Sequence, residues 1–233
     1  MTGAAAPAGA TDLSSLAGWP DVRLWLLDLT VEPSAEQLGG LSADEQARAA
    51  RFAFERDRRR YRAAHVQLRS LLAQATRNPP ASLRFSESRH GKPRLEGAIP
   101  LAFNLSHSGD VGALALAALG EIGVDVELLH RVDDLDALAQ RCFTPAELSE
   151  FDRCGQDETA RDTLFLHGWT RKEACLKVVG SGLSLEPASF EAGLAPGPRD
   201  VRLRWDGRDF HLAVRSFRHG DTIGAIAVPR APR

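Results

Sequence analysis

Asp125 and Glu127, two residues apart in Ile122-Gly123-Val124-Asp125-Val126-Glu127, are the pair in this sequence best suited to do chemistry. Ile122, Val124 and Val126 alternate with Gly123, Asp125 and Glu127, which is the patterning of a strand. Side chains on a strand repeat every two residues, so both carboxylates fall on one face, roughly 6–7 Å apart. At an effective dielectric of about 20 they repel by about 2.5 kcal/mol. A cation relieves that repulsion, and an all-oxygen donor set favours Mg²⁺ or Mn²⁺. By the same reasoning, removing one carboxylate should stabilise the metal-free fold. A solvated acidic strand end is the alternative reading.

A second stretch offers partners for such a site. In Trp169-Thr170-Arg171-Lys172-Glu173-Ala174-Cys175-Leu176-Lys177, residues 169, 173 and 177 are four apart and share one helix face. A Glu–Lys pair at that spacing is commonly just a surface pair. The tryptophan on the same stripe argues for a partly buried face, so Glu173 offers a third carboxylate and Lys177 a cation. Ser106-His107-Ser108 is a further polar cluster, with no nucleophile elbow around it to support a triad. His107 can equally donate to a phosphate, and either serine can act as a structural cap.

The elements that must position these residues follow from the patterning. Val22 to Leu29 reads as a strand, Ser42-Ala43-Asp44-Glu45 as a capping box opening a helix to about Arg51, and Glu55 to Ala75 as a long helix stopped by Asn78-Pro79-Pro80. Leu83-Arg84-Phe85 is a short strand, and Val111 to Ala117 an apolar strand buried on both faces. Helices are expected over Asp134 to Arg141, from the cap at Thr144, and over Asp162 to Val179, ended by Gly180-Ser181-Gly182. Three strands close the chain: Val201 to Trp205, Phe210 to Phe217 and Ile223 to Val228.

A repeat runs through this order. After the first long helix come Pro80-Ala81-Ser82-Leu83 and later Gly109-Asp110-Val111-Gly112-Ala113; after the second come Pro187-Ala188-Ser189-Phe190 and later Gly220-Asp221-Thr222-Ile223-Gly224-Ala225. The fold class expected is therefore α+β, built as two similar halves about a pseudo-twofold axis with a binding cleft between them. The boundaries are a disordered Ala/Gly/Pro-rich tail at residues 1–12, an N-terminal half at 13–118, and a C-terminal half at 119–233 carrying the metal site.

Composition bounds the function. The chain has 233 residues, 43% hydrophobic and 26% charged, with a formal net charge of −2. That charge gives no whole-protein attraction to nucleic acid or an anionic membrane, so any anion site must be local. Arg48, Arg51, Arg56, Arg58, Arg59, Arg60, Arg62 and Arg69 form the most basic region. It reads as a solvated helix face, as a nucleic-acid site lacking an aromatic platform, or as a source of one or two phosphate ligands. Three cysteines without C-x-x-C spacing, no signal-peptide pattern and no membrane-length apolar run predict a soluble cytoplasmic protein with free thiols.

Gly91-Lys92-Pro93, Phe103-Asn104-Leu105-Ser106-His107-Ser108, Ile122 to Glu127 and Trp169 to Lys177, in this order and spacing, strongly resemble the Sfp-type 4′-phosphopantetheinyl transferases. The resemblance covers roughly residues 20 to 228. It implies two α+β halves with coenzyme A between them, and transfer of phosphopantetheine from coenzyme A to a serine of an apo acyl or peptidyl carrier protein, releasing adenosine 3′,5′-bisphosphate. It further implies Asp125, Glu127 and Glu173 as Mg²⁺ ligands, with Mn²⁺ as an alternative ion. Lys177 would pair with the pyrophosphate, Glu173 or a metal-bound water would serve as base, and Arg48, Arg60, Lys92, Ser106 and His107 would contact nucleotide and phosphates. A monomer is expected, with no nucleic-acid or membrane partner. Glu45 stands where the family pattern has a lysine, and Ser181 where a lysine is common. Segment 131–161, which docks the carrier in such enzymes, is acidic here, so docking is expected through Leu135, Leu138 and Phe143. A non-catalytic carrier-binding module of the same fold is the alternative.

Overall fold

A computed structural model describes residues 6–97 and 100–230. The first half opens with β1 (Ala10–Asp12), α1 (Ser14–Ala17), β2 (Val22–Asp28), α2 (Ala35–Leu38), α3 (Ala43–Ala50) and α4 (Glu55–Thr76). It continues through β3 (Phe85–Glu87), β4 (Pro93–Leu95), β5 (Ala102–Ser108) and β6 (Val111–Ala117). The second half comprises β7 (Gly123–Leu128), α5 (Leu135–Cys142), α6 (Pro145–Asp152), α7 (Glu158–Val179), β8 (Arg199–Trp205), β9 (Arg208–His219) and β10 (Thr222–Pro229). The result is an α+β protein in which each half has a four-stranded antiparallel sheet and a 22-residue helix.

The sheets run β1-β2-β6-β5 and β7-β10-β9-β8, while β3 and β4 form a separate ribbon. Leu68, Leu71 and Leu72 of α4 pack with Leu27, Phe103, Leu114 and Leu116. Ala174, Cys175, Leu176 and Val178 of α7 pack in the same way with Leu212, Val214, Ala225 and Ala227. A third cluster joins Leu24, Ala113 and Ala115 of the first half to Val124, Val126 and Ile226 of the second. Strand β6 thus has both faces buried, as its apolar run requires.

Capping explains several boundaries. Ser42 with Glu45, and Thr144 with Glu147, form reciprocal capping boxes. Helix α7 begins at Glu158, four residues ahead of the expected Asp162, because Asp157 accepts from the Ala160 amide. Helix α4 is closed by Arg77 in the left-handed conformation, φ 58°, ahead of the prolines expected to stop it. Ala10–Asp12, placed by the sequence in the tail, pairs with β2 from Ala10↔Leu27 to Asp12↔Trp25. The far edge of β2 needs backbone partners, and these residues supply them. Residues 1–5 of that tail lie outside the described residues.

Candidate active site

The site is built on a seam between two edge strands. Strands β5 and β7 sit at the ends of their sheets, and alternate side chains of β5 stitch them together. The Val124 amide donates to Asn104 Oδ1 at 2.8 Å, Ser106 Oγ donates to Asp125 Oδ1 at 2.7 Å, and Ser108 Oγ to Glu127 Oε2 at 2.5 Å. Positions 104, 106 and 108 share one face of a strand, which is why they all reach β7. His107, on the other face, lines a cavity.

Gly123 lets α7 complete the cluster. A Cβ there would lie 2.0 Å from the Ala174 carbonyl oxygen, so only glycine allows β7 so close to α7. That approach brings Glu173 and Lys177 to the carboxylates. Lys177 Nζ donates to Asp125 Oδ1 at 2.6 Å, Ser106 Oγ at 2.9 Å and the Val124 carbonyl at 3.1 Å, engaging all three ammonium protons. Burial raises the Glu173 carboxyl above its ordinary range; Asp125 and Glu127 add to the rise, and Lys177 opposes it. Burial also raises Glu127, with Asp125 adding to it and the Ser108 hydrogen bond opposing.

This is the electrostatic signature of carboxylates short of positive charge. Asp125 Oδ2 and Glu173 Oε1 are buried without a hydrogen-bond partner among the described residues. Two buried bare oxygens beside a third carboxylate suit an oxygen-seeking divalent cation. As their side chains now stand, no three His, Cys, Asp or Glu side chains among the described residues form a ready cage. Asp125 is turned to Lys177 and Glu127 to Ser108.

The cavity beside this cluster has a volume of about 710 Å³, within the range of ligand pockets. Its wall comes from the first half and includes Arg48, Arg60, Tyr61, His65, Phe85 and His107. The His107 end adjoins the carboxylate cluster: burial lowers the His107 pKa, and the charges of Lys177 and Arg60 lower it further. Burial and those two charges both favour the neutral imidazole. Arg60 Nε is held by Asp110 Oδ1 at 2.8 Å, and Arg48 lies 5.9 Å from the Tyr61 ring.

The candidate residues divide accordingly. Ser106, Asp125, Glu127, Glu173 and Lys177 meet at the seam, and Arg48, Arg60 and His107 share the cavity. Lys92 stands apart from both. Its Nζ donates to Glu121 Oε2 at 2.7 Å and the Ile122 carbonyl at 2.9 Å, with a side chain only 8% exposed. Glu45 caps α3 and binds His65 Nδ1 at 2.9 Å and Arg69 Nε at 2.7 Å, a structural duty no lysine could perform. Most helix arginines are also engaged locally: Arg58 and Arg62 with Glu55, Arg59 with Asp110, Arg69 with Glu45.

Within the Trp169–Lys177 motif, Arg171 and Lys172 are structural. Arg171 Nε donates to the Ala192 carbonyl at 2.7 Å, and Lys172 pairs with buried Glu147 at 2.6 Å. Phe143, expected at a docking surface, is 1% exposed in a core with Phe151, Phe165 and Leu194. Leu135 and Leu138 are only partly buried against that core. Asn104, Ser108 and Asp110 were not among the expected site residues, although Asn104 and Ser108 lie in the Phe103–Ser108 motif and share the two-residue spacing of Ser106.

Two family models match this chain. Residues 121–227 match the 4′-phosphopantetheinyl transferase superfamily, and residues 32–119 match the 4′-phosphopantetheinyl transferase N-terminal family. The 4′-phosphopantetheinyl transferase HetI of Nostoc is 38% identical over 181 residues, covering 76% of this chain and 75% of that protein. The chain belongs to the 4′-phosphopantetheinyl transferase superfamily. Another member, 4′-phosphopantetheinyl transferase psf-1 of Bacillus pumilus, is 34% identical, covering 70% of this chain and 68% of that protein. 4′-Phosphopantetheinyl transferase Sfp of Bacillus subtilis is 29% identical, covering 77% and 74%. A crystal structure of Thermotoga maritima holo-[acyl-carrier-protein] synthase aligns at 19% identity and a TM-score of 0.32, over 48% of this chain and 63% of that chain. Within this superfamily, the boundary between the two matched families falls in the linker ahead of β7.

Proposed function

We propose that this protein is a 4′-phosphopantetheinyl transferase that moves phosphopantetheine from coenzyme A to a serine of an acyl or peptidyl carrier protein. The observation that carries the reading is the meeting of Asp125, Glu127, Glu173 and Lys177, two of them with bare buried oxygens, beside a cavity carrying Arg48, Arg60 and His107.

Asp125, Glu127 and Glu173 would hold Mg²⁺ or Mn²⁺. When bound, the ion supplies charge neutralisation at the coenzyme A pyrophosphate. The chain's own residues do the rest. Arg48 and Arg60 bind the phosphates of the nucleotide end, Arg60 exchanging its hold on Asp110 for a phosphate oxygen. His107 donates one N–H to the same anion, and Ser106 holds Asp125 in place. Lys177 releases one of its three partners to meet charge developing on the departing phosphate. The carrier serine oxygen bonds to the phosphorus that bears pantetheine as the anhydride P–O bond breaks, and adenosine 3′,5′-bisphosphate departs. Glu173 takes the serine proton directly or through a water it orients.

The carrier docks on the face of α5, through Leu135 and Leu138, with Phe143 supporting that helix from within. Both halves of the site come from one chain, which fits a monomer as the active form. Three free cysteines, two of them buried, fit a reducing cytoplasm. Among the described residues no helix is long and apolar enough to cross a membrane. The test is incubation with coenzyme A, Mg²⁺ and apo carriers of fatty-acid, polyketide, nonribosomal-peptide and lysine synthesis. A mass gain of one phosphopantetheine on at least one carrier is expected, and none on any carrier by folded protein overturns the reading.

A further inference from the structure

Among the described residues the β3–β4 ribbon hydrogen-bonds to neither four-stranded sheet. A two-stranded ribbon alone is marginally stable, so its placement depends on what grips it. Its root is held by Phe85, which meets Phe103 edge-on at 5.6 Å, and by Leu95 against the first core. Its tip reaches the second half, where His90 meets Trp205 edge-on at 6.1 Å.

Alternation along the ribbon gives it two sides. Phe85, Glu87 and Pro93, which share one face of the ribbon through the Glu87↔Pro93 pair, line the cavity. Lys92 and Arg94 face the other way, onto a single carboxylate: Lys92 Nζ lies 2.7 Å from Glu121 Oε2 and Arg94 Nη2 lies 2.7 Å from Glu121 Oε1. Glu121 sits in the linker between the halves. The Lys92 stem runs beside the C-terminal cap of α7, where a Cβ on Gly180 would lie 4.0 Å from Lys92 Cδ. The carbonyl end of a helix favours a cation there. The ribbon is thereby tied to the linker, beside the end of the helix that carries Glu173 and Lys177.

We propose that Glu121 is a positioning residue: through Lys92 and Arg94 it clamps the ribbon over the cavity and sets the affinity for the nucleotide end of coenzyme A without touching it. This rests on the transferase reading above. It also recasts Lys92, expected from the family resemblance to contact the nucleotide, as the buried half of the clamp.

The test measures coenzyme A affinity by calorimetry, carrier transfer by intact mass, and amide exchange of residues 85–95, in wild type, Glu121→Gln, Lys92→Met and the double variant. Each single variant should weaken coenzyme A binding by about tenfold, a middle value for coupled residues. Transfer at saturating coenzyme A should be unchanged for Glu121→Gln, ribbon amides should exchange faster while those of β6 do not, and the double variant should be no weaker than either single one. Glu121→Gln binding as tightly as wild type, or losses that add in the double variant, overturns the clamp and returns Lys92 to direct contact. If Glu121→Gln does not fold, Arg94→Ala removes the exposed arm: weaker binding supports the clamp and unchanged binding overturns it. Failure of the wild-type protein to bind coenzyme A overturns the transferase reading instead.

Discussion

Glu173 is the least compensated carboxylate of the site, buried with a bare oxygen and facing two other acids. Neutralising it relieves repulsion, so Glu173→Gln should lose transfer yet melt higher in chelator, by about 2–4 °C for each 1 kcal/mol relieved. Asp125 behaves in the opposite way. The sequence treated it as an uncompensated acid whose removal stabilises, but Lys177 and Ser106 both hold it. Asp125→Ala strands a partly buried ammonium and should lower the melting temperature in chelator while also abolishing transfer. Thermal melts of the two variants side by side check both signs. A rise for Asp125→Ala, or a fall for Glu173→Gln, contradicts this electrostatic account. Strand and helix periods were enough to pair Asp125 with Glu127 and Glu173 with Lys177, and the family resemblance joined the two pairs. Those periods could not show that Lys92 is taken up by Glu121, because that pairing spans 29 residues and depends on how a linker crosses a ribbon.

At the scale of elements, α3 and α4 are locked by Glu45. Burial pushes its carboxyl up, but hydrogen bonds from His65 and the Ser42 amide, with the charges of Arg69 and His65, bring it down to about 2. A depressed carboxyl stabilises the fold above its unfolded value of 4.5 and loses that contribution as pH falls toward about 2. Wild type should therefore lose about 3 kcal/mol across that window that Glu45→Gln does not lose, a difference denaturant titrations at several pH values would read. Parallel acid limbs for the two proteins would refute it. Helix α5 gives a second test. Phe143→Ser removes a core ring and should cost about 3–5 kcal/mol of stability. Leu138→Ser should leave the fold intact and raise the carrier KM, and an unchanged KM would remove Leu138 from the docking face. The sequence identified α5 correctly but could not separate Phe143 from Leu138, since which apolar residue faces inward depends on α7. Gly168 of α7 is what admits Phe143, whose Cε1 would lie 2.7 Å from a Cβ at that position.

For the whole molecule, the two-half plan was legible from the repeat because each half needs the same strand, turn and helix chemistry to bury its sheet. The seam was not legible. Asn104, Ser106 and Ser108 look like a polar strand end until β5 and β7 are found to be neighbouring edges of different sheets. That meeting of edges makes one site from two halves, and it links cavity and carboxylates through adjacent residues of one strand, His107 and Ser106. The central claim is that this assembled site transfers phosphopantetheine. The most direct measurement is intact-mass analysis of an apo carrier after reaction with coenzyme A and Mg²⁺, run in parallel with wild type and with folded Glu173→Gln. The account predicts a gain of one phosphopantetheine with wild type that chelator abolishes, and none with Glu173→Gln; equal modification by the two proteins would contradict it.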